Sequence, residues 1–120
     1  MLSDLSHSFT RSDRLSAELR RLLGSMVHAA VRDNALPSMS VSDVEVTRDF
    51  DFATVFVTAL LPDQAVAGVK ALNELAKEFR RELSRAMSVR RVPELRFKYD
   101  DSVDRGERIE ALLRGDKGDK

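Results

Sequence analysis

A stretch rich in arginine carries the strongest candidate chemistry in this sequence. Residues 77–98 contain eight basic and three acidic residues, a net charge of +5 in a chain whose net charge is 0. Guanidinium forks bind phosphate oxygens in a bidentate manner, so this stretch predicts a polyanionic partner. Few aromatic residues lie among these basic residues, so the stretch offers few rings on which the nucleobases of a single strand could stack. Folded RNA, bound through its backbone and shape, is therefore favoured over single-stranded RNA. The basic residues are Lys77, Arg80, Arg81, Arg85, Arg90, Arg91, Arg96 and Lys98.

A solvated helix with local salt bridges is the alternative interpretation of the same charges. Glu78 lies three residues before Arg81, a spacing that permits an ion pair on a helix surface. The corresponding function is a protein-interaction or dimerisation module without RNA binding. Its interface would be a sheet edge or the exposed side of the first helix. Composition alone does not separate the two interpretations.

Residues that could support catalysis are sparse. The only histidines are His7 and His28, and the chain has no cysteine, so a zinc site or a histidine-based catalytic centre is not expected. The glycine-rich nucleotide-binding loops are also absent from the sequence. Two aspartate pairs remain, Asp49 with Asp51 and Asp100 with Asp101, and both follow predicted strands, where aspartate usually builds turns. We therefore expect no enzyme activity, cofactor, metal or small-molecule substrate.

The length and hydropathy of the chain indicate one small domain outside the membrane. A chain of 120 residues suits a single core. No apolar run approaches the ~18 residues that a membrane span needs. The first residues lack the basic and then apolar order of a secretory signal. We expect a soluble, cytoplasmic protein.

Hydrophobic periodicity predicts the elements that position these residues. Leucines and valines at three- and four-residue steps predict a helix over about residues 11–33, with Arg11, Arg14 and Arg21 on its opposite face. Gly24 within it suggests a close contact or a bend. Alternation from Ser40 to Ala59, interrupted by a turn at residues 49–51, predicts an antiparallel hairpin.

In the second half of the chain, the hydrophobic spacing again changes from helical steps to the alternation of a strand. A helical stripe predicts one long helix over residues 64–87, with the basic residues on its exposed side. Alternation after Pro93 predicts a third strand over residues 92–99, and a short last helix follows. Residues 1–9 are expected to be flexible, and residues 114–120 to form a disordered tail.

Several motifs, taken together with their order and spacing along the chain, resemble the bacterial ribosome-binding factor A family over about residues 11–113. The hairpin segment Val44–Asp49 and the opening Arg11 and Arg14 contribute to the resemblance. The C-terminal signature is carried by Val92-Pro93-Glu94-Leu95, Phe97, Tyr99-Asp100, Ser102, Gly106, Arg108-Ile109 and Leu112-Leu113. The resemblance implies an α+β fold, a single KH-like domain of the type II order α-β-β-α-α-β, over residues 10–113. It also implies a monomeric factor that binds the immature 30S subunit and its 16S rRNA, and that supports maturation of the 16S rRNA 5′ end, including in the cold.

The sequence departs from the family pattern at one informative position. The family carries an Ala-x-Gly element between two helices, which aligns here with Leu75-Ala76-Lys77, so lysine replaces the glycine. The resemblance thus implies a kink where periodicity predicts a continuous helix. The family's RNA groove runs beside this element. The resulting candidate RNA-binding residues are Arg80, Arg81, Arg85, Arg90, Arg91, Lys77, Arg11, Arg14 and Arg21.

Overall fold

The helices and strands follow the α-β-β-α-α-β order. A computed structural model describes residues 11–87 and 91–101. The elements are α1 (Arg11–Arg32), β1 (Met39–Val46), β2 (Phe52–Ala59), a 3-10 turn (Pro62–Gln64), α2 (Ala65–Glu74), α3 (Ala76–Ala86) and β3 (Glu94–Tyr99). The predicted α+β fold and type II order are therefore confirmed. The predicted last helix and both chain ends lie outside the described residues.

The three strands form one mixed sheet in the order β1-β2-β3. β1 and β2 pair antiparallel, as the alternating sequence predicted, with a bulge between Val41 and Asp43. β3 pairs parallel to β2, with Leu95 opposite Ala53. A parallel pair needs a crossover connection, and α2 and α3 supply it.

The helices pack on one face of this sheet. Leu19, Leu23 and Val27 on α1 are fully buried because they share one helix face. They join Leu72 and Leu83 from the crossover helices. The strands contribute every second residue to the same core, namely Val44, Ala53, Val55, Val57, Leu95 and Phe97. The core is therefore a single layer between sheet and helices.

The crossover helix breaks at Leu75, so the prediction of one helix over residues 64–87 is wrong. The Leu75 N–H is shared between the carbonyls of Ala71, at 3.1 Å, and Leu72, at 3.0 Å. Its backbone has φ −91° and ψ 0°, which an ordinary residue can adopt. The kink implied by the resemblance is thus present without glycine, and Lys77 lies inside α3.

Side-chain contacts with β3 hold both halves of the kinked crossover. The Asn73 side-chain amide donates to the carbonyl of Phe97 at 3.1 Å and accepts from its N–H at 2.9 Å. On the other side of the kink, Phe79 contacts Phe97 edge to face, with ring centroids 6.0 Å apart. Asn73 also covers part of an edge strand, whose unpaired backbone groups would otherwise be open to other chains.

Gly24 does not mark a close contact inside α1. A Cβ atom built at this position would meet no atom within 4 Å apart from its chain neighbours and the nearby backbone of α1. The helix continues without interruption from Arg11 to Arg32. No helix in the described part of the chain is long and apolar enough to cross a membrane.

Candidate nucleic-acid interface

One basic groove lies between α3 and the segment that leads into β3. Lys77, Arg80, Arg81 and Ser84 recur at helical spacing on α3, so they share one face. We call the depression that they form with Val92 the α3 groove. Lys77 and Arg81 are exposed there and form no ion pair with another described residue. Their cationic heads are therefore available to a phosphate.

Arg80 has a structural task within the α3 groove. Its Nε and Nη2 atoms both donate to the carbonyl oxygen of Val92, at 3.0 and 2.8 Å. Two hydrogen bonds from one charged fork fix the direction of the guanidinium plane. Arg80 is half-buried as a result, and its remaining N–H groups are what it offers to a ligand.

A second basic groove joins the start of α1 to the β1–β2 turn. It has a volume of about 490 Å³ and brings Arg91 together with two arginines from the start of α1. Arg11 and Arg14 come from one helix face, and both are exposed. We call this depression the hairpin groove, and its lining residues are Arg11, Arg14, Leu15, Glu18, Asp49, Phe50 and Arg91.

Local hydrogen bonds shape the turn that closes the hairpin groove. The Asp49 carboxylate accepts from the Thr47 hydroxyl at 2.7 Å and from the Asp51 N–H at 3.0 Å. The bond from Thr47 contributes most, and together these bonds hold the pKa of Asp49 below its ordinary value, so the carboxylate stays charged to a more acid pH. Phe50 adopts a positive φ of 62° and lies half-buried in the groove. The turn thus adds one negative charge and one aromatic ring.

The two basic grooves meet at residues 91–93, which we call the linking segment. Arg91 lines the hairpin groove, and its neighbour Val92 lines the α3 groove. The segment is held from both sides, since Arg80 binds the Val92 carbonyl and Arg91 forms an ion pair with Asp51. The N–H of Glu94 also donates to the Asp51 carbonyl at 2.9 Å. The described structure thus places two basic depressions side by side on a fixed backbone.

The predicted basic stretch is divided between two surfaces. Arg96 and Lys98 are exposed, and they alternate along β3 with the buried Leu95 and Phe97. They therefore lie on the open face of the sheet, away from α3. The Arg96 guanidinium lies 3.9 Å from the centroid of the Phe52 ring. A single groove shared by α3 and these two strand residues is not what the structure shows.

The other candidate residues are distributed unevenly. Arg11, Arg14 and Arg91 meet in the hairpin groove, and Lys77, Arg80 and Arg81 meet in the α3 groove. Arg21 and Arg85 are exposed on α1 and α3 but line neither groove. Arg90 lies outside the described residues.

Sequence reasoning missed several contributors to these grooves. Ser84 could have been identified from the sequence, because it lies seven residues after Lys77 on the same helix face. Glu18 gave the same signal, because it lies seven residues after Arg11 on the first helix. Phe50 gave no comparable signal. The pairing of Arg91 with Asp51 joins residues forty positions apart, which only the folded chain brings together.

The described carboxylates form no metal site. Within residues 11–87 and 91–101, no group of three or more His, Cys, Asp or Glu side chains could hold an ion. Asp49 closes the turn and Asp51 pairs with Arg91. Asp100 accepts a hydrogen bond from the Ser42 hydroxyl. These three aspartates therefore stabilise local structure.

The fold and this surface define a small KH-like α+β domain with a basic side. A family model described as ribosome-binding factor A matches residues 11–113. The chain belongs to the ribosome-binding factor A family. It is 63% identical over 107 residues to ribosome-binding factor A of Xanthomonas axonopodis pv. citri (strain 306), covering 89% of this chain and 82% of that protein. The corresponding protein of Stenotrophomonas maltophilia (strain K279a) is 59% identical over the same length, covering 89% and 84%.

Solved structures of relatives share the fold. The crystal structure of ribosome-binding factor A from Thermus thermophilus aligns with a TM-score of 0.66 at 26% identity, covering 75% of this chain and 97% of that one. A Thermus thermophilus homology model, fitted into a cryo-EM map of a complex between 30S and ribosome-binding factor A, aligns with a TM-score of 0.60 at 26% identity, covering 72% and 91%.

Proposed function

We propose that this protein is a ribosome assembly factor that binds the immature 30S subunit through its 16S rRNA. The observation that carries the proposal is the pair of basic grooves that share the linking segment. Two depressions lined by arginine and lysine suit the regularly spaced phosphates of folded RNA. Family membership supports the choice of RNA, since a relative is known from a 30S complex.

The residues proposed to contact RNA are the candidates predicted from the sequence, now ranked by their exposure and their partners in the structure. The strongest candidates are exposed in a groove and form no ion pair with another described residue. They are Lys77, Arg81, Arg11 and Arg14. Arg80 and Arg91 follow, since each is also engaged within the protein. Arg21, Arg85 and Arg90 extend the same surface in the proposal.

The proposed role is binding without catalysis, by a monomer in the cytoplasm. The protein supports maturation of the 16S rRNA 5′ end, and through it adaptation to cold. Cells that lack the protein should accumulate 16S rRNA with an unprocessed 5′ end, more strongly at low temperature. The wild-type protein should restore processing. Normal 5′ ends in the deletion strain at all temperatures would refute this role.

The binding site itself is tested with a matched pair of double charge reversals. Lys77→Glu with Arg81→Glu should abolish co-sedimentation with immature 30S subunits, because two phosphate contacts become repulsive. Lys70→Glu with Lys98→Glu changes the net charge equally at exposed positions outside both grooves and should preserve binding. Retained binding by the first variant, or equal loss in both, would remove the site from the α3 groove.

A further inference from the structure

An apolar surface lies at the carboxyl end of β3, the opposite end of that strand from the linking segment. Leu60, Leu61 and Val66 are exposed by 75%, 52% and 83%. They are the exposed large hydrophobic residues of the described chain. Because they cluster within seven sequence positions around the start of α2, they are not the scattered single residues that any surface carries.

Part of this surface is a groove of about 470 Å³. Its lining residues are Pro62, Ala65, Val66, Val69 and Tyr99, and we call it the apolar groove. Four of the five are aliphatic, and Val66 and Val69 lie one helical turn apart on α2. Such a lining suits aliphatic side chains presented by another segment at helical spacing.

The last strand of the described chain ends beside this groove. Tyr99 lines the groove and is also the last residue of β3. Residues 102–120 follow the described part of the chain, and within them Ile109, Leu112 and Leu113 recur at three- and four-residue steps among charged neighbours. This spacing predicts one apolar helix face. The family match also continues to residue 113 and therefore includes these positions.

We propose that residues 103–113 of the same chain bind in the apolar groove, with the face of Ile109, Leu112 and Leu113 against Val66 and Val69. Ile109 is ten positions after Tyr99, and ten residues span roughly 33 Å when extended, so the segment reaches the groove in many conformations. A short tether also gives an effective concentration in the millimolar range. A second copy of the protein must compete with that local segment.

The absence of cysteine allows a direct test in the full-length chain. Val66→Cys with Leu112→Cys should form an intramolecular disulfide, because bonding requires Cα atoms within about 7 Å. Val66→Cys with Glu110→Cys moves the second thiol to the charged side of the segment. Lys98→Cys with Leu112→Cys moves the first thiol to the open face of the sheet, next to Tyr99 in sequence. We expect the first pair to close about tenfold faster than either control, reflecting a higher effective concentration.

The alternatives give different results in the same experiment. Disulfide-linked dimers from the first pair, seen on a non-reducing gel, would identify a second copy as the occupant and overturn the proposal. Equal rates in all three variants would also overturn it. As an independent measurement, Leu112→Asp with Leu113→Asp should raise the fluorescence of an apolar-surface dye several-fold, whereas Glu110→Gln should leave it unchanged. No rise in the double variant would contradict the proposal.

Discussion

The α3 groove and the hairpin groove each contain three basic residues, but the two sets are assembled differently. In the α3 groove, Lys77, Arg80 and Arg81 belong to one helix, so sequence spacing alone brings them together. In the hairpin groove, Arg11, Arg14 and Arg91 come from the two ends of the described chain. The first is a local feature, and the second exists only when the fold is complete. RNA binding by the hairpin groove should therefore be more sensitive to changes in tertiary structure.

The grooves also differ in how their charge is balanced. The hairpin groove contains Glu18 and Asp49, whereas no acidic residue lines the α3 groove. The partners of the arginines differ too, since Arg80 binds a backbone carbonyl and Arg91 binds a carboxylate. A carbonyl carries no net charge, so Arg80 keeps more of its positive potential. We thus expect the α3 groove to contribute more to affinity.

The largest expected effect is a loss of affinity for 30S subunits, and it shows whether the two grooves bind RNA as one interface or separately. Arg14→Glu and Arg81→Glu should each weaken binding to 30S subunits about 10- to 100-fold, since each removes a charged contact. If both grooves contact the same RNA, the double variant should lose close to the product of the two factors. The measurement is affinity over a range of salt concentrations, where each lost phosphate contact lowers the log–log slope by roughly 0.7–0.9. A normal affinity for Arg14→Glu would leave the α3 groove as the whole site.

The next effect distinguishes anchoring from binding within the α3 groove. Arg80→Ala should lower the free energy of unfolding by about 1–3 kcal/mol, because the buried Val92 carbonyl loses a charged donor. Arg81→Ala removes the same type of side chain at an exposed position and should change it by less than about 0.5 kcal/mol. Urea unfolding measures both. Equal stabilities would show that the Arg80 fork does not hold the linking segment.

A smaller effect concerns the kink. Lys77→Gly and Lys77→Ala remove the same charge, so both should weaken RNA binding equally. Glycine should additionally cost up to about 1 kcal/mol of stability relative to alanine, because Lys77 lies inside α3 and the break is already formed at Leu75. Thermal or urea unfolding compares the two variants. Greater stability of Lys77→Gly would indicate that this position needs the conformational freedom of glycine.

The smallest effect tests the balance of charge in the hairpin groove. Asp51→Asn should release Arg91 and raise RNA affinity a few-fold, because one competing carboxylate is lost. The Arg91 and Asp51 side chains are 65% and 38% exposed, so the pair contributes no more than about 1 kcal/mol to folding. Asp63→Asn is a matched control at an exposed position outside both basic grooves. Equal affinities for the two variants would mean that Arg91 does not contact RNA.

The sequence predicted the elements better than it predicted the surface they form. Strict alternation and helical spacing depend on neighbouring residues, so α1, the hairpin and β3 followed from them. The break at Leu75 did not, because an ordinary leucine there shares its N–H between two carbonyls and leaves no sign in the sequence. Only the resemblance implied it.

The same distinction applies to the site. The helical spacing of Lys77, Arg80 and Arg81 predicted correctly that they share one helix face. It did not predict the α3 groove, because Arg96 and Lys98 were expected to line the same groove. The hairpin groove could not be predicted as a unit, since Arg91 joins Arg11 and Arg14 only through tertiary packing. Alternation on β3 already indicated that Arg96 and Lys98 point away from the core, and the packing of α3 against Phe97 decides that they also point away from the grooves.

The proposed RNA interface is tested by ultraviolet crosslinking of the full-length protein on immature 30S subunits, with the crosslinked residues mapped by mass spectrometry. A single RNA interface centred on residues 91–93 predicts 16S rRNA crosslinks in peptides that contain Arg14 and Arg81. It predicts none at Arg96 or Lys98 on the open face of the sheet. Crosslinks confined to that open face, with none in either groove, would show that RNA binds elsewhere on the protein.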